Sequence, residues 1–157
     1  SVFLYQPESN WTYSHDPSIT FFKNRFYAIW SNGRKDEDAP SQRVLMAAGF
    51  HQHDGTLVAS FGNYGPNKET THLQAVTTRD GEHWSAMRDV GVPVNPNHGP
   101  QRTASGRPII AGNISFPYTD DPSGLVGWRM TGIYPYVITS RQEEAVQVSR
   151  VALADLD

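Results

Sequence analysis

Residues Ser14-His15-Asp16-Pro17-Ser18-Ile19 place a histidine just ahead of a strand-like run, and this pattern recurs twice further along the chain. The histidines of the three copies are 38 and 45 residues apart, close to the roughly 40–45 residues of one four-stranded propeller blade. The spacing therefore predicts a β-propeller fold, in which equivalent positions of different blades converge beside the central axis. We expect the three imidazoles to meet there and form a site. The two later copies are Gln52-His53-Asp54-Gly55-Thr56-Leu57 and Asn97-His98-Gly99-Pro100-Gln101-Arg102.

The length and composition indicate one globular all-β domain. The chain has 157 residues, of which 38% are hydrophobic and 11% aromatic, enough for a packed core. Its 13 glycines and 11 prolines are spread along the whole length, as expected for short strands separated by turns. At roughly 40–45 residues each, three to four four-stranded antiparallel blades fit residues 1–157. We therefore expect a partial or minimised propeller domain, or a fragment of one, for which self-association is a way to complete the ring.

Charge and residue usage exclude several classes of partner. The net charge of −3 provides no basic field, so we expect no nucleic-acid partner. No run of apolar residues approaches the length of a membrane span, and the N-terminal residues lack a charged start followed by an apolar core. The absence of cysteine excludes disulfides and thiolate chemistry but leaves the compartment open.

Strand-forming runs separated by turn residues follow one another along the chain. Residues 19–22 and 26–31 flank Lys23-Asn24-Arg25 and predict a hairpin. A second hairpin is predicted from residues 101–104 and 107–111 around Ser105-Gly106. For residues 140–145 the sequence does not decide between a strand and a helical turn. Further strands are predicted at 43–50, 56–61, 72–78 and 146–153, and loops or turns at 32–42, 63–69 and 112–128.

The segment Thr78-Arg79-Asp80-Gly81-Glu82-His83-Trp84 predicts a self-bonded turn. The Asp80 carboxylate can accept backbone N–H bonds inside the turn, and Gly81 can adopt a positive φ. Trp84 can fill the space between neighbouring strands. The expected role of this turn is structural.

This turn resembles the Asp-box of the sialidase-like β-propeller superfamily, and the resemblance covers most of residues 11–134. It implies a carbohydrate-active enzyme, secreted or periplasmic, that is either an exo-sialidase or a lyase cutting polysaccharides beside uronic acids. Sialidases carry Phe/Tyr-Arg-Ile-Pro near the N-terminus, where this chain has Ser14-His15-Asp16-Pro17, so the lyases are the nearer branch. The other segments that carry the resemblance are SHDPSITFFKNRFYAIWSNGR (14–34), HQHDGTLVA (51–59) and NHGPQRTASGRPIIAGNISFPYTDDPSGL (97–125).

β-Elimination at a uronate requires a group that neutralises the carboxylate and a base that removes the C5 proton. An imidazole titrates near working pH without special tuning, so His15 or His98 is the predicted base. Tyr118 is the predicted acid, provided that nearby positive charge tunes it. Arg102 is predicted to bind the carboxylate of an acidic oligosaccharide or polysaccharide, since guanidinium forms bidentate bonds to carboxylates. The remaining candidate substrate-binding residues are His53, Arg34, Arg43 and Gln101.

Alternative roles remain open for the same residues. His51 and His53 share one face of a strand and His72 could approach them, so these three could instead bind a structural metal ion. No cofactor is assigned. The arginines could instead pair with surface carboxylates, and Tyr118 could pack beneath a loop. At the level of the whole chain, a non-catalytic glycan-binding module or a fragment is the alternative to an enzyme.

Overall fold

A computed structural model describes residues 3–36, 42–44, 46–64, 71–94, 96, 98–111, 116–130, 137–141 and 145–149. Every regular element in these ranges is a β-strand, so the predicted all-β class is confirmed. The described part of the chain has no helix with the length and apolar character needed to cross a membrane. The strands are β1 (Tyr13–Phe22), β2 (Arg25–Gly33), β3 (Met46–His53), β4 (Thr56–Tyr64), β5 (Thr71–Thr78), β6 (Arg88–Asp89), β7 (Gln101–Arg102), β8 (Pro108–Ile109), β9 (Val137–Arg141) and β10 (Ala145–Ser149).

All strand pairs are antiparallel and follow chain order. β3, β4, β5 and β6 form one four-stranded meander, whereas β1–β2, β7–β8 and β9–β10 are hairpins. Backbone bonds extend the β7–β8 hairpin, since Tyr118 bridges Ile109 on one side and Arg129 on the other. Among the described residues the four sheets remain separate, and none closes on itself.

The predicted β1–β2 hairpin is confirmed, with strands longer than expected. Lys23 and Asn24 both have positive φ, 47° and 63°, the conformation of a two-residue type I′ turn. Arg25 therefore starts β2 instead of ending the turn. Asn32 and Gly33 also belong to β2, because they pair with Ser14 and Tyr13 of β1, so the predicted loop at 32–42 begins later.

The strand predicted at 43–50 is displaced along the chain. Val44 belongs to the edge of the first sheet through its bridge to Asn32, and β3 begins only at Met46. Its end at His53 is set by a tight turn in which Asp54 and Gly55 have φ of 46° and 79°.

The other predicted elements agree in kind with the structure where it describes them. The strands predicted at 56–61 and 72–78 are β4 and β5, and the 101–111 hairpin is β7–β8 with shorter strands. β4 extends through residue 64, and 65–69 lie outside the described residues. Residues 140–141 are part of strand β9, and β10 (145–149) covers 146–149 of the predicted 146–153 strand. Within 116–128 the structure has only isolated bridges at Tyr118.

The core lies on both faces of the central meander. Leu57, Val58 and Ala59 are successive residues of β4, and all three are buried. Because successive side chains of a strand point to opposite faces, this run requires cover on both sides of the sheet. The main apolar cluster comprises Ala48, Val58, Leu73, Ala75, Val90, Val92, Val94 and Ile110, with Leu125 and Trp128 packed against it.

A turn closed by a carboxylate follows β5. Oδ1 of Asp80 accepts the backbone N–H groups of Glu82 and His83, both at 2.8 Å. The Thr78 hydroxyl oxygen accepts the N–H of Gly81 at 2.8 Å, and Gly81 has φ 82°. The bonds from His83 and Glu82 hold the pKa of Asp80 well below its usual range. The hydrogen bonding predicted for this segment is therefore present.

This turn contacts the first sheet through Tyr27 of β2. The Tyr27 hydroxyl donates to the Gly81 carbonyl at 3.2 Å. The Trp84 ring meets the Tyr27 ring edge-on, with centroids 6.2 Å apart, and remains partly exposed. The turn thus holds the β1–β2 hairpin beside the central meander.

A second carboxylate-closed turn is centred on Asp121, and the sequence indicates it only as a turn at Asp120-Asp121 beside Pro122. Its Oδ2 accepts the N–H groups of Leu125 and Val126 at 3.1 and 3.3 Å and the hydroxyl of Ser123. Burial raises the pKa of Asp121, but these bonds outweigh it and the net shift is downward. The Thr119 hydroxyl accepts the Asp121 N–H at 3.0 Å.

The two turns are related by a constant offset. Thr119 and Asp121 each lie 41 residues after Thr78 and Asp80. Trp128 closes the second turn by donating its indole N–H to a backbone carbonyl within it at 3.1 Å. The shared Thr-x-Asp spacing is the sequence signal for the second turn. The segment from Asp121 to Trp128 is longer than that from Asp80 to Trp84, so the two turns do not align over their full length.

Candidate functional site

The first strands of the successive sheets meet at two glycines. A Cβ on Gly49 of β3 would lie 2.8 Å from Oγ of Ser18 on β1 and 3.1 Å from the Cα of Gly99. A Cβ on Gly99 would lie 2.9 Å from the backbone nitrogen of Phe50. Only residues without a side chain permit this approach. The backbones of β1, β3 and the segment entering β7 therefore converge at this point.

A cleft of about 390 Å³ opens beside this contact. It combines a carboxylate, an imidazole and an amide, from Asp16, His98 and Gln101, with the apolar side chains of Ile19 and Phe50. Polar groups that fix orientation against an apolar wall are typical of small-ligand sites. The other lining residues are Pro17, Ser18, Ala48 and Gly99.

His15 lies next to this cleft, on an irregular part of β1. The register between β1 and β2 shifts between His15 and Ser18, and Asp16 has φ 46° although it is not glycine. Nδ1 of His15 is 3.2 Å from Oδ2 of Asp16. Bulges and strained residues of this kind are over-represented beside functional sites. The structure thus groups His15, His98 and Gln101 of the predicted site and adds Asp16, whose role no sequence signal revealed.

His53 does not join this group, so the predicted meeting of three histidines is wrong. It ends β3, four residues after Gly49 and so about 13 Å further along the strand. The reason is that the middle sequence copy is the turn at the far end of a first strand, not its beginning. His53 instead lines a separate cavity of about 440 Å³ with Asp54, Arg79 and His83.

Arg102 is turned away from the cleft that Gln101 lines. Its guanidinium donates to the carbonyls of Gly106 at 2.8 Å, Pro122 at 2.7 Å and Gln52 at 3.5 Å. These bonds tie the end of β3 to the β7–β8 turn and to the Asp121 turn. The structure therefore assigns Arg102 a structural position and not the predicted contact with a carboxylate in the cleft.

Arg34 and Arg43 both lie against the ring of Trp11, and neither lines the cleft. Their guanidinium carbons lie 5.5 and 4.1 Å from the centre of the Trp11 ring. Arg43 also donates to both carboxylate oxygens of Glu8, at 2.6 and 3.1 Å, which lowers the pKa of Glu8. Arg43 borders a further cavity of about 300 Å³.

Tyr118 is likewise separate from the cleft. Its ring has the guanidinium carbon of Arg107 at 4.6 Å and that of Arg129 at 6.0 Å. Both arginines pair with Asp120, at 2.8 and 3.4 Å. Positive charge does lie beside Tyr118, as the acid role requires, but the residue bridges Ile109 of β8 and is not among the residues that line the cleft.

The predicted grouping of His51, His53 and His72 is not formed. His51 pairs with Val58, whereas His72 pairs with Asn63 at the other end of β4. Nδ1 of His72 is instead 2.9 Å from a carboxylate oxygen of Asp89. Among the residues that the structure describes, no group of three or more histidine, aspartate or glutamate side chains could hold a metal ion.

His51 is a mostly buried imidazole with a single hydrogen bond. Its Nε2 donates to the Ser123 carbonyl at 2.7 Å, and the buried Nδ1 has no partner within the described structure. Burial lowers the pKa of His51, and the bond to Ser123 opposes this only in part. Near neutral pH the imidazole is therefore uncharged, and its bond to the Ser123 carbonyl places the proton on Nε2.

This buried imidazole predicts a pH-dependent stability. Because the folded pKa is below the unfolded value of about 6.5, the unfolded chain binds more protons as the pH falls. The free energy of unfolding should therefore be constant above about pH 7 and fall below it, by at most about 1.4 kcal/mol per pH unit. Urea unfolding of the wild type and His51→Gln between about pH 7 and pH 5 should give a flatter profile for the variant. Equal slopes would show that His51 does not control this window.

Comparisons with known proteins give no relatives: no family model matches the chain, and neither a curated protein nor a solved structure matches it significantly.

Proposed function

We propose that the chain is a carbohydrate-active protein that acts on uronate-containing glycans by β-elimination in the cleft at His98. The observation that carries the proposal is the convergence of β1, β3 and the segment entering β7, which gathers His98, Gln101 and Asp16 around one cavity. His15 lies beside it, 3.2 Å from Asp16. The cleft thus combines proton-transfer groups with hydrogen-bonding and apolar contacts suited to a sugar ring.

The proposal includes a propeller-like arrangement of the sheets. Three features support it: the four-stranded meander β3–β6, the carboxylate-closed turns 41 residues apart, and the meeting of successive first strands. An offset of 41 residues agrees with one blade. The first sheet is smaller, since β3 begins two residues after Val44 and no fourth strand fits between them.

In the proposed reaction His98 is the base. Its imidazole takes the C5 proton, the electrons of the C5–H bond form the C4=C5 double bond, and the C4–O bond breaks. The departing oxygen requires a proton, and we assign its delivery to His15, whose imidazole is 3.2 Å from the Asp16 carboxylate of the cleft. Neutral donors such as the Gln101 amide would stabilise the charge that develops on the uronate carboxylate.

A non-catalytic glycan-binding module is the second candidate, and one observation favours it. Among the described residues that line the cleft there is no arginine or lysine, and Arg102 donates to backbone carbonyls instead. Carboxylate neutralisation is a large part of the barrier in β-elimination. A cleft without a cation can bind a sugar more readily than it can cleave one.

Absorbance at about 235 nm, where unsaturated uronates absorb, separates these functions. We expect it to rise when the purified chain is mixed with polygalacturonate, alginate or a glucuronate-rich polysaccharide. Saturable binding without absorbance would favour the binding module. Release of the fluorophore from a fluorogenic sialoside alone would instead indicate a hydrolase, and no response to any of these ligands would contradict both candidates.

A further inference from the structure

The cavity of about 440 Å³ that His53 lines is at the end of one face of the central meander. Cross-strand pairing places His53 opposite Thr56 and Val58 opposite Thr77. Directly paired residues of neighbouring strands share a face of the sheet, and so do alternate residues of one strand. The four side chains therefore lie on the same face, and together they form one wall of the cavity.

The Asp121 turn covers the adjoining part of this face. His51, which belongs to the same face, is bonded to the Ser123 carbonyl at 2.7 Å. Leu125 packs against the apolar cluster that contains Val58. Ser123 and Leu125 also line the cavity, so the cavity begins where the cover by this turn ends.

A second self-bonded turn borders the cavity from another side. The Asp80 turn contributes Thr78, Arg79 and His83 to the lining, and its carboxylate accepts two backbone N–H groups at 2.8 Å. Turns that are bonded internally need little further ordering when a ligand binds, which lowers the free-energy cost of association. The cavity is therefore preorganised on two sides.

The lining offers both hydrogen-bond donors and acceptors. Within the described part of the chain the His53 ring takes part in no hydrogen bond, so it can bond a ligand. The Arg79 guanidinium is 3.9 Å from an Asp54 carboxylate oxygen, too far for a hydrogen bond, so both groups can also bond a ligand. The hydroxyls of Thr56 and Thr77 can donate or accept.

The fixed charges of the lining nearly cancel. Among its described residues these charges are the Arg79 guanidinium and the Asp54 carboxylate. His83 is bonded to Asp80 and 88% exposed, so it belongs to the rim and is assigned no contact with a ligand. An anionic ligand would face Asp54, and a cationic ligand would face Arg79. An uncharged polar ligand therefore fits this cavity better than either.

We propose that this cavity is a second binding site, which takes an uncharged sugar unit. Sugar hydroxyls both donate and accept hydrogen bonds, and the C–H face of a sugar ring would pack on Val58 and Leu125. The volume of about 440 Å³ is within the range of small-molecule sites. The site is separate from the His98 cleft and needs no reaction, so it goes beyond the proposed function; only the choice of a sugar among uncharged polar ligands rests on that function.

Matched pairs of glycosides test the site and its preference for an uncharged ligand. The probes are the methyl glycosides of glucose, galactose and mannose, each beside the corresponding uronide, which differs only in its carboxylate. Each probe is titrated into the ¹⁵N-labelled chain. The amide signals of Thr56 and Thr77 report this cavity, and those of Phe50 and Gln101 report the His98 cleft. We expect at least one uncharged glycoside to shift the threonine signals and to bind there more tightly than its uronide.

His53→Ala should lower the affinity for that glycoside by about tenfold, because it removes a hydrogen-bonding group from the wall. His72→Ala is the matched control and should leave the affinity unchanged. Like His53 it is a partly buried histidine of the meander, but it is outside this cavity and lies 2.9 Å from a carboxylate oxygen of Asp89.

Asp54→Asn tests the charge argument with the turn retained, since asparagine tolerates the φ of 46° at this position. Removal of the carboxylate should raise the affinity of the uronide relative to the uncharged glycoside by about threefold. An unchanged ratio would overturn the assignment of an uncharged ligand.

The proposal is also overturned if none of the three uncharged glycosides shifts the threonine signals, or if the uronides bind there more tightly. An unchanged affinity in His53→Ala, or an equal loss in His72→Ala, has the same meaning. The lyase assignment is judged separately by the absorbance at about 235 nm. Glycoside binding that depends on His53 without any absorbance would retain this site and reject the lyase, whereas absorbance without such binding would do the reverse.

Discussion

Gly49→Ala is expected to lower the free energy of unfolding by about 3 kcal/mol, from two separate causes. The first is conformational: Gly49 has φ 133°, in a region that residues with a Cβ rarely adopt. The second is steric, because the new Cβ would lie 2.8 Å from Oγ of Ser18 and 3.1 Å from the Gly99 backbone. The Ser18 hydroxyl can rotate away, but the Gly99 backbone cannot move without displacing the segment that enters β7.

Two matched variants separate these causes in guanidinium unfolding. Gly91 has φ 78° with no atom within 4 Å of a new Cβ, so Gly91→Ala should cost only about 1 kcal/mol. Gly99 has no such positive φ, but its Cβ would lie 2.9 Å from the Phe50 nitrogen, so Gly99→Ala should show the steric part alone. If Gly49→Ala were no worse than Gly91→Ala, the first strands would not be in close contact.

Local features of the fold were predictable because nearby residues determine them. The β1–β2 turn follows from Lys23 and Asn24 between two strand-forming runs, and asparagine tolerates the positive φ that the turn requires. The Asp80 turn follows in the same way, since its carboxylate and the N–H groups that it accepts are within three residues of each other. No distant contact is needed for either, so the sequence pattern was sufficient.

The candidate site was only partly predictable because its members come from distant segments. The sequence copies at His53 and His98 look alike, but one is the end of a first strand and the other is the approach to one. The contact between Gly49 and Gly99 fixes how far the segment that enters β7 is shifted along β3. A shift of a few residues along a strand moves a side chain by 10 Å or so, and the pattern of a single copy does not record it.

The arginines illustrate a second limit. Guanidinium groups bind carboxylates, backbone carbonyls and aromatic faces, so residue type alone did not choose among these partners. Arg102 donates to carbonyls of two turns and of β3, and Arg43 contacts both Glu8 and the ring of Trp11. These partners are distant in sequence and became neighbours only through the packing of whole sheets.

His98→Ala is expected to lower kcat/KM on a uronate polysaccharide by about 10²–10⁴-fold, the usual contribution of a positioned general base. The loss should appear mainly in kcat, because the remaining residues of the cleft still bind the sugar. Added imidazole should restore part of the rate, since it can occupy the space left by the side chain and accept the C5 proton. Initial rates at about 235 nm measure both effects.

His83→Ala is the control for this variant, because it also removes one imidazole but at a side chain that is 88% exposed and outside the His98 cleft. Within the described residues its imidazole bonds to Asp80, and the backbone bonds that close the turn stay in the variant, so the turn should lose little stability and the rate should stay close to that of the wild type. Imidazole rescue is the decisive part of the comparison, since a variant that is merely misfolded would not recover with a small base. If His98→Ala retained the wild-type rate while His83→Ala lost it, the reaction would have to take place in the cavity that His53 and His83 share, at the far end of β3.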